Sequence, residues 1–457
     1  MVDLHSFPRG AFVKPVLRAA LAAVLSVSAL AAQEPRDIPI KSYTLPNGLR
    51  VHLVEDHSAQ VVAVNLWYRV GARDERLGHT GFAHLFEHMM FQGSEHVQKA
   101  EHFQFIERAG GTLNGSTQAD RTNYWEVLPS NRLNLGLWLE AERMQSLAVT
   151  QANLDNQREA VKEERRLRFD NQPYVGALVD SIGLLYDRER CFAYSHSLVG
   201  SMTDLNAAKV EDVQAFFRQY YAPNNATLVL VGDFNSAEAT ALIAQYFNQI
   251  PAVPAPPSVA CDQPYNTGVL RRNVADANAT IGAVLAFWRI PAVSHADYPA
   301  LDLLSTIFGQ GESSRLNRTI VREQKVAAIS QSVLNPIGPT RGPGIFGVLA
   351  IANQGVAVDS VERAVVAQAA ELVSGITEGE LAKAKAYRKS TAVSQRQHAL
   401  GLAEAIQFAD LFLGSANRVN DDIRRYDAVT VADLQRVAAT YLRPDNSLTL
   451  LIVPGGK

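Results

Sequence analysis

The chain has 457 residues, which by length alone suggests about three domains. With 47% hydrophobic and 19% charged residues it has the make-up of a globular protein, which excludes a disordered chain, a collagen-like repeat and a disulfide-stapled miniprotein. Its 43 Lys and Arg against 46 Asp and Glu give a formal charge of −3, so the composition carries no electrostatic sign of a nucleic-acid or acidic-membrane binder.

Residues 1–32 read as an export signal. Arg9, Lys14 and Arg18 precede an apolar run over 19–32, and Ala29 and Ala31 supply a small-x-small cleavage pattern. That run is shorter than the roughly 20 residues needed to span a bilayer, and no later segment is long and apolar enough. The mature chain is therefore expected to lack a transmembrane segment and to be periplasmic or secreted. Anchoring through an uncleaved N-terminus is the alternative.

Residues 49–55 and 61–70 read as strands on either side of a turn. Residues 81–91 and 100–109 read as helices, the second ended by Gly110 and Gly111. A hairpin is predicted from 112–117 and 123–128, and helical periodicity returns over 133–144 and 152–170. Cys191 and Cys261 are too few for a disulfide framework, and a single bridge or two separate thiols are both open.

The body of the chain is written twice. At an offset of 221, Asp212 meets Asp433, Gln214 meets Gln435, Tyr220 meets Tyr441, Pro223 meets Pro444 and Asn225 meets Asn446. The same offset places Trp67 on Trp288, each in an apolar run. The repeat implies two homologous domains, residues 36–250 and 265–457, joined by the proline-rich linker 251–264. The expected fold class is α+β: in each domain a mostly antiparallel sheet packed with helices on one face, the two arranged around a central cleft.

The sharpest local signal is GFAHLFEHMMFQGS. His84, Glu87 and His88 form H-x-x-E-H, in which the two histidines lie one helical turn apart and can reach one ion from the same face. Glu87 sits on a neighbouring face, where a carboxylate can take a proton from water beside a metal. Phe82, Leu85, Phe86, Met89, Met90 and Phe91 around it predict a mostly buried helix, where polar groups need partners. A catalytic zinc usually has three protein ligands. The helix over 152–170 offers Glu159, Glu163 and Glu164, and spacing does not choose among them.

The chain resembles the pitrilysin/insulinase family of inverted-motif zinc metallopeptidases, most closely the branch of mitochondrial processing peptidase and bacterial periplasmic relatives. The resemblance runs through LPNGLRVHL, GFAHLFEHMMFQGS, GGTLNGSTQADRTNYW, NQREAVKEERR, LVGSMTDL and YYAPNNATLVLVGDF. It implies one zinc per chain on His84, His88 and Glu164, with Glu87 as the base. It also places Gln157 where relatives often carry a second glutamate behind the ligands. The segment after Gly111 then resembles an edge strand to which a peptide substrate adds, with Asn114 facing that substrate.

Under the 221-residue offset His84, Glu87 and His88 fall on Ser305, Phe308 and Gly309, so the second domain is expected to bind no zinc. Relatives use an arginine and a tyrosine seven residues apart in a metal-free domain to stabilise the reaction intermediate. Here Arg322 matches the arginine, but the tyrosine position holds Ile329, read as buried. The resemblance thus implies a zinc endopeptidase that pairs with a homologous metal-free subunit supplying the Arg/Tyr pair. A shifted match, with Tyr387 or Tyr426 as the tyrosine, is one alternative. A non-catalytic structural or assembly subunit is another.

Overall fold

The computed structural model describes residues 37–263 and 268–455, so the expected signal at 1–32 lies outside the described residues. The unit Ile40–Lys457 contains every strand and helix among the described residues.

Eleven strands form two sheets among the described residues: β1 (Lys41–Thr44), β2 (Arg50–Glu55), β3 (Val61–Tyr68), β4 (Thr112–Thr117), β5 (Thr122–Pro129), β6 (Ala226–Gly232), β7 (Leu270–Asp276), β8 (Ala283–Ile290), β9 (Ala327–Leu334), β10 (Gly344–Ala352) and β11 (Leu448–Pro454). The first sheet runs β1-β2-β6-β3-β5-β4 and the second β7-β11-β8-β10-β9. Apart from β1 the two orders are the same. In each, one pair is parallel (β2 with β6, β7 with β11) and the others are antiparallel. The strands on either side of the first turn, β2 and β3, do not pair with each other; β6 lies between them and bonds to both.

Each sheet carries its own helices on one face. Val62, Val64, Leu66 and Tyr68 of β3 pack with Leu85, Phe86, Leu137 and Ile243, and Val284, Ala286 and Trp288 of β8 pack with Leu301, Leu304 and Phe308. The other faces are covered by exchange. Helix Ala399–Leu413, from the second half of the chain, lies under β3 and β6. There Gln407 Nε2 donates to the carbonyls of Asn65 (3.0 Å) and Thr227 (2.7 Å), and Asp410 accepts from Arg50 Nη1 at 2.9 Å. In return Tyr174, Ala177 and Leu178 from the first half pack on Leu285, Phe287 and Leu450 of the second sheet. This exchange explains why β3 and β8 are buried on both faces and read as continuous apolar runs.

The proline-rich linker is tied down. Cys261 forms a disulfide with Cys191, Arg73 Nη2 donates to the Val259 carbonyl at 3.2 Å, and Val253 and Asn224 exchange two hydrogen bonds. Of the two states open to the cysteines, the bridge is the one that forms.

Candidate metal centre

The H-x-x-E-H motif lies on helix Phe82–Met89. Phe82, Ala83, Leu85, Phe86 and Met89 are buried in the first core, which fixes the rotation of the helix and turns His84, Glu87 and His88 toward a cavity of about 740 Å³. The helix starts at Gly81, whose φ of +85° is left-handed. A Cβ there would also meet the Val199 carbonyl oxygen at 2.8 Å, so only glycine fits. Glu75, fully buried, accepts the Gly81 and Ala83 N–H groups at 2.8 Å each and so satisfies the free donors of the first turn.

The third donor comes from helix Gln151–Arg165, capped by Thr150 Oγ1 on the Asn153 N–H. Leu154, Gln157 and Val161 are its buried face, and Glu164 continues that stripe three residues on. Glu159 and Glu163 point outward and pair with Lys162 and Arg166. Glu164 Oε2 lies 3.6 Å from His84 Nε2 and 3.2 Å from His88 Nε2. One ligand atom from each of the three side chains lies within 4.8 Å of the others, and among the described residues no other such cluster of three occurs. After Arg165 the helix widens into a π turn, Arg166–Asp170, and Arg168 from it pairs with Glu164 Oε1 at 2.9 Å.

Burial, followed by the neighbouring His88, pushes His84 down to about 4, so its imidazole is neutral with a lone pair to offer. His88 feels the same burial, but its hydrogen bond to Glu164 and the charge of Glu87 outweigh it and leave His88 raised. Glu164 is lowered, first by the hydrogen bond with His88. Glu87 is raised by burial, opposed chiefly by a hydrogen bond from Thr117 Oγ1 at 2.7 Å. Two imidazole nitrogens and one carboxylate oxygen converging in a cavity form a donor set suited to a catalytic zinc.

Gln157 and Asn114 also line this cavity. Gln157 hydrogen-bonds His88 and donates Nε2 to Asn156 at 2.7 Å. Asn114 lies on β4, the outer strand of its sheet, which pairs on one side alone with β5. Arg322 is not brought to the cavity: it lies on the π-helical turn Asn317–Glu323, and its Nη2 bonds Glu312 at 2.6 Å. Ile329 is not buried as expected but 53% exposed, because β9 is the outer strand of the second sheet and this residue faces solvent. Tyr387 is exposed, and Tyr426 is buried against Asp302. Among the described residues the second half contributes only Pro336 and Ile337 to the cavity lining.

Ser305 and Gly309, at the positions matching His84 and His88, sit on helix Tyr298–Gly309. Ser305 hydrogen-bonds Ser332 at 2.9 Å, and a Cβ on Gly309 would come within 2.2 Å of the Ser332 nitrogen. Strand β9 packs directly on this helix and fills the space that donors at these two positions would need. Thr117, Glu75 and Arg168 were missed from sequence; each acts across elements whose mutual placement no spacing rule supplies.

The chain belongs to the insulinase family of peptidases, M16. The family profile described as Insulinase (Peptidase family M16) matches residues 50–178, and that described as Peptidase M16 inactive domain matches 207–387. A zinc protease, PqqE, from Helicobacter pylori is 31% identical over 427 residues, 91% of this chain and 93% of the relative. A probable mitochondrial-processing peptidase subunit beta from Arabidopsis thaliana is 23% identical, over 87% of this chain and 75% of that one. The crystal structure of a protease from Helicobacter pylori superposes with a TM-score of 0.85 at 29% identity, covering 91% of this chain and all of that one.

Proposed function

We propose that this chain is a zinc-dependent endopeptidase that hydrolyses extended peptides or unfolded polypeptides. The observation that carries the reading is the convergence of His84, His88 and Glu164 in a cavity walled by the outer strand β4, with Glu87 beside them. The three converging side chains would hold one zinc ion, which when bound supplies Lewis acidity to water and to the scissile carbonyl. Glu87 takes the proton of the attacking water and passes it to the leaving amine. The free edge of β4 accepts the substrate backbone as an added strand, and Asn114 faces it. Gln157 steadies His88 through a neutral hydrogen bond.

Among the described residues the cavity lining holds neither Arg322 nor a tyrosine from the second half. The side chains of Pro336 and Ile337 offer no donor to a developing oxyanion, and one missing donor costs about 3–4 kcal/mol. This supports pairing with a homologous metal-free chain that supplies the arginine and tyrosine. Export to the periplasm, or secretion, is supported by the signal pattern at 1–32 and by the Cys191–Cys261 bridge, which belongs in an oxidising compartment. Among the described residues no single helix is long and apolar enough to cross a membrane.

A quenched-peptide assay on the purified single chain, with and without chelator, tests both parts. Weak turnover that chelator abolishes is expected. Turnover indifferent to chelator overturns the metallopeptidase reading, and full chelator-sensitive activity of the single chain overturns the need for a partner.

A further inference from the structure

Glu87 ends in a carboxylate whose last torsion is soft, so nothing within the side chain fixes which oxygen faces the cavity. Among the described residues its one hydrogen-bond partner is Thr117, whose Oγ1 donates to Oε2 at 2.7 Å. Oε1 receives no bond from the described residues. Thr117 is the last residue of β4, so the strand read as the substrate-binding edge also carries the group that touches the base.

The position of that hydroxyl is strongly determined. Thr117 pairs with Thr122 across β5, and Thr122 Oγ1 is anchored on the Val70 carbonyl at 2.9 Å. One residue earlier, the Ser116 carbonyl accepts Arg121 Nη1 at 2.7 Å, and Ser116 Oγ donates to Asn123 Oδ1 at 2.7 Å. Arg121 Nη1 also donates to Asn123 Oδ1 at 2.9 Å, while its guanidinium stacks 4.8 Å from the Trp67 ring. Asn123 Nδ2 then donates to Glu404 Oε1 at 2.9 Å, on the helix Ala399–Leu413 lent by the second half. Glu404 takes Asn65 Nδ2 on the same oxygen at 2.6 Å. A polar chain therefore runs from the second half through Asn123 and Ser116 to the end of β4, where Thr117 meets the base.

We propose that Thr117 is a positioning residue for Glu87: its hydroxyl holds Oε2 and leaves Oε1 turned to the cavity for proton transfer. The inference rests on the peptidase reading above. It adds that the end of the substrate strand sets the orientation of the base, so strand binding and base alignment share one rigid element. A valine in place of Thr117 keeps the β-branched shape and removes the hydroxyl, whereas serine keeps the hydroxyl.

The test compares wild type, Thr117→Val and Thr117→Ser as zinc-loaded full-length chains, by steady-state kinetics on a quenched peptide, zinc content and crystal structures. Thr117→Val should lower kcat about tenfold or more, since a misaligned reacting group is costly, with KM within about twofold and zinc content unchanged. Thr117→Ser should recover kcat to within about threefold of wild type. A wild-type kcat in Thr117→Val, or a loss confined to KM, overturns the proposal. If wild type itself shows no chelator-sensitive turnover, the reading of the single chain as a working peptidase fails and the crystal structures decide alone. Glu87 in one orientation in wild type and in two or a new one in Thr117→Val supports the positioning role; the same single orientation in both overturns it.

Discussion

Replacing both Cys191 and Cys261 by alanine removes the covalent tie between the linker and the segment that walls one side of the cavity at the motif helix. The cysteines are 70 residues apart, and cross-linking a loop of that length removes about 15 cal/mol/K of entropy from the unfolded chain, or about 4 kcal/mol at 25 °C. Unfolding entropy of about 2.1 cal/mol/K per residue, over the residues of the unit Ile40–Lys457, converts this into a fall in Tm of about 5 °C. The native fold should survive the change. Tyr186 still donates its hydroxyl to the Pro343 carbonyl at 2.8 Å, and Tyr194 to Asp120 at 3.0 Å, so the segment keeps its non-covalent ties to both halves. Thermal and urea unfolding of the oxidised wild type, the reduced wild type and the double alanine variant measure the effect. The second and third should coincide and lie below the first. An unchanged midpoint in the double variant, or a reductant effect of equal size in it, would refute the argument.

Glu87→Gln should keep its zinc, as metal analysis would record, while kcat falls by about 10²–10⁴, the usual worth of a general base. Gly309→Ala should destabilise the chain by about 1–3 kcal/mol in urea unfolding, because the added methyl meets the backbone of β9; a neutral result would mean that β9 can move away. His102 is pushed down to about 3, first by burial and then by Arg143, so the native state stays unprotonated where the unfolded chain, near 6.5, takes up a proton. The part of the stability that His102 controls should therefore fall by about 1.4 kcal/mol per pH unit below 6.5 until near pH 3, so the difference in unfolding free energy between wild type and His102→Gln should change with that slope across the range.

What sequence could reach was local. Two histidines one turn apart declare a shared face, and apolar flanks declare which face is buried, so the motif helix was legible. The third donor was not: spacing left Glu159, Glu163 and Glu164 equivalent, and only packing shows that Leu154, Gln157 and Val161 form the buried face whose stripe Glu164 extends. The 221-residue repeat corresponds to two sheets of matching strand order. The helix exchange was hidden, because Ala399–Leu413 is apolar enough to suit its own half and nothing in its spacing names β3 and β6 as the surface it covers. Ile329 was misjudged because an apolar residue in a strand reads as buried unless the strand is known to lie at an edge. Thr117 and Glu75 were invisible for a related reason: a hydroxyl and a carboxylate acquire meaning only when strand register and loop path bring them to the motif helix.

The central claim, that His84, His88 and Glu164 form one zinc site per chain that serves peptide hydrolysis, is tested most directly by titrating zinc into metal-stripped wild type and Glu164→Ala while following bound metal and peptide cleavage together. Wild type should bind about one zinc per chain, with cleavage rising in step and saturating at that ratio, and Glu164→Ala should lose both. Tight binding retained by Glu164→Ala, or a wild type that binds no zinc, would contradict the account.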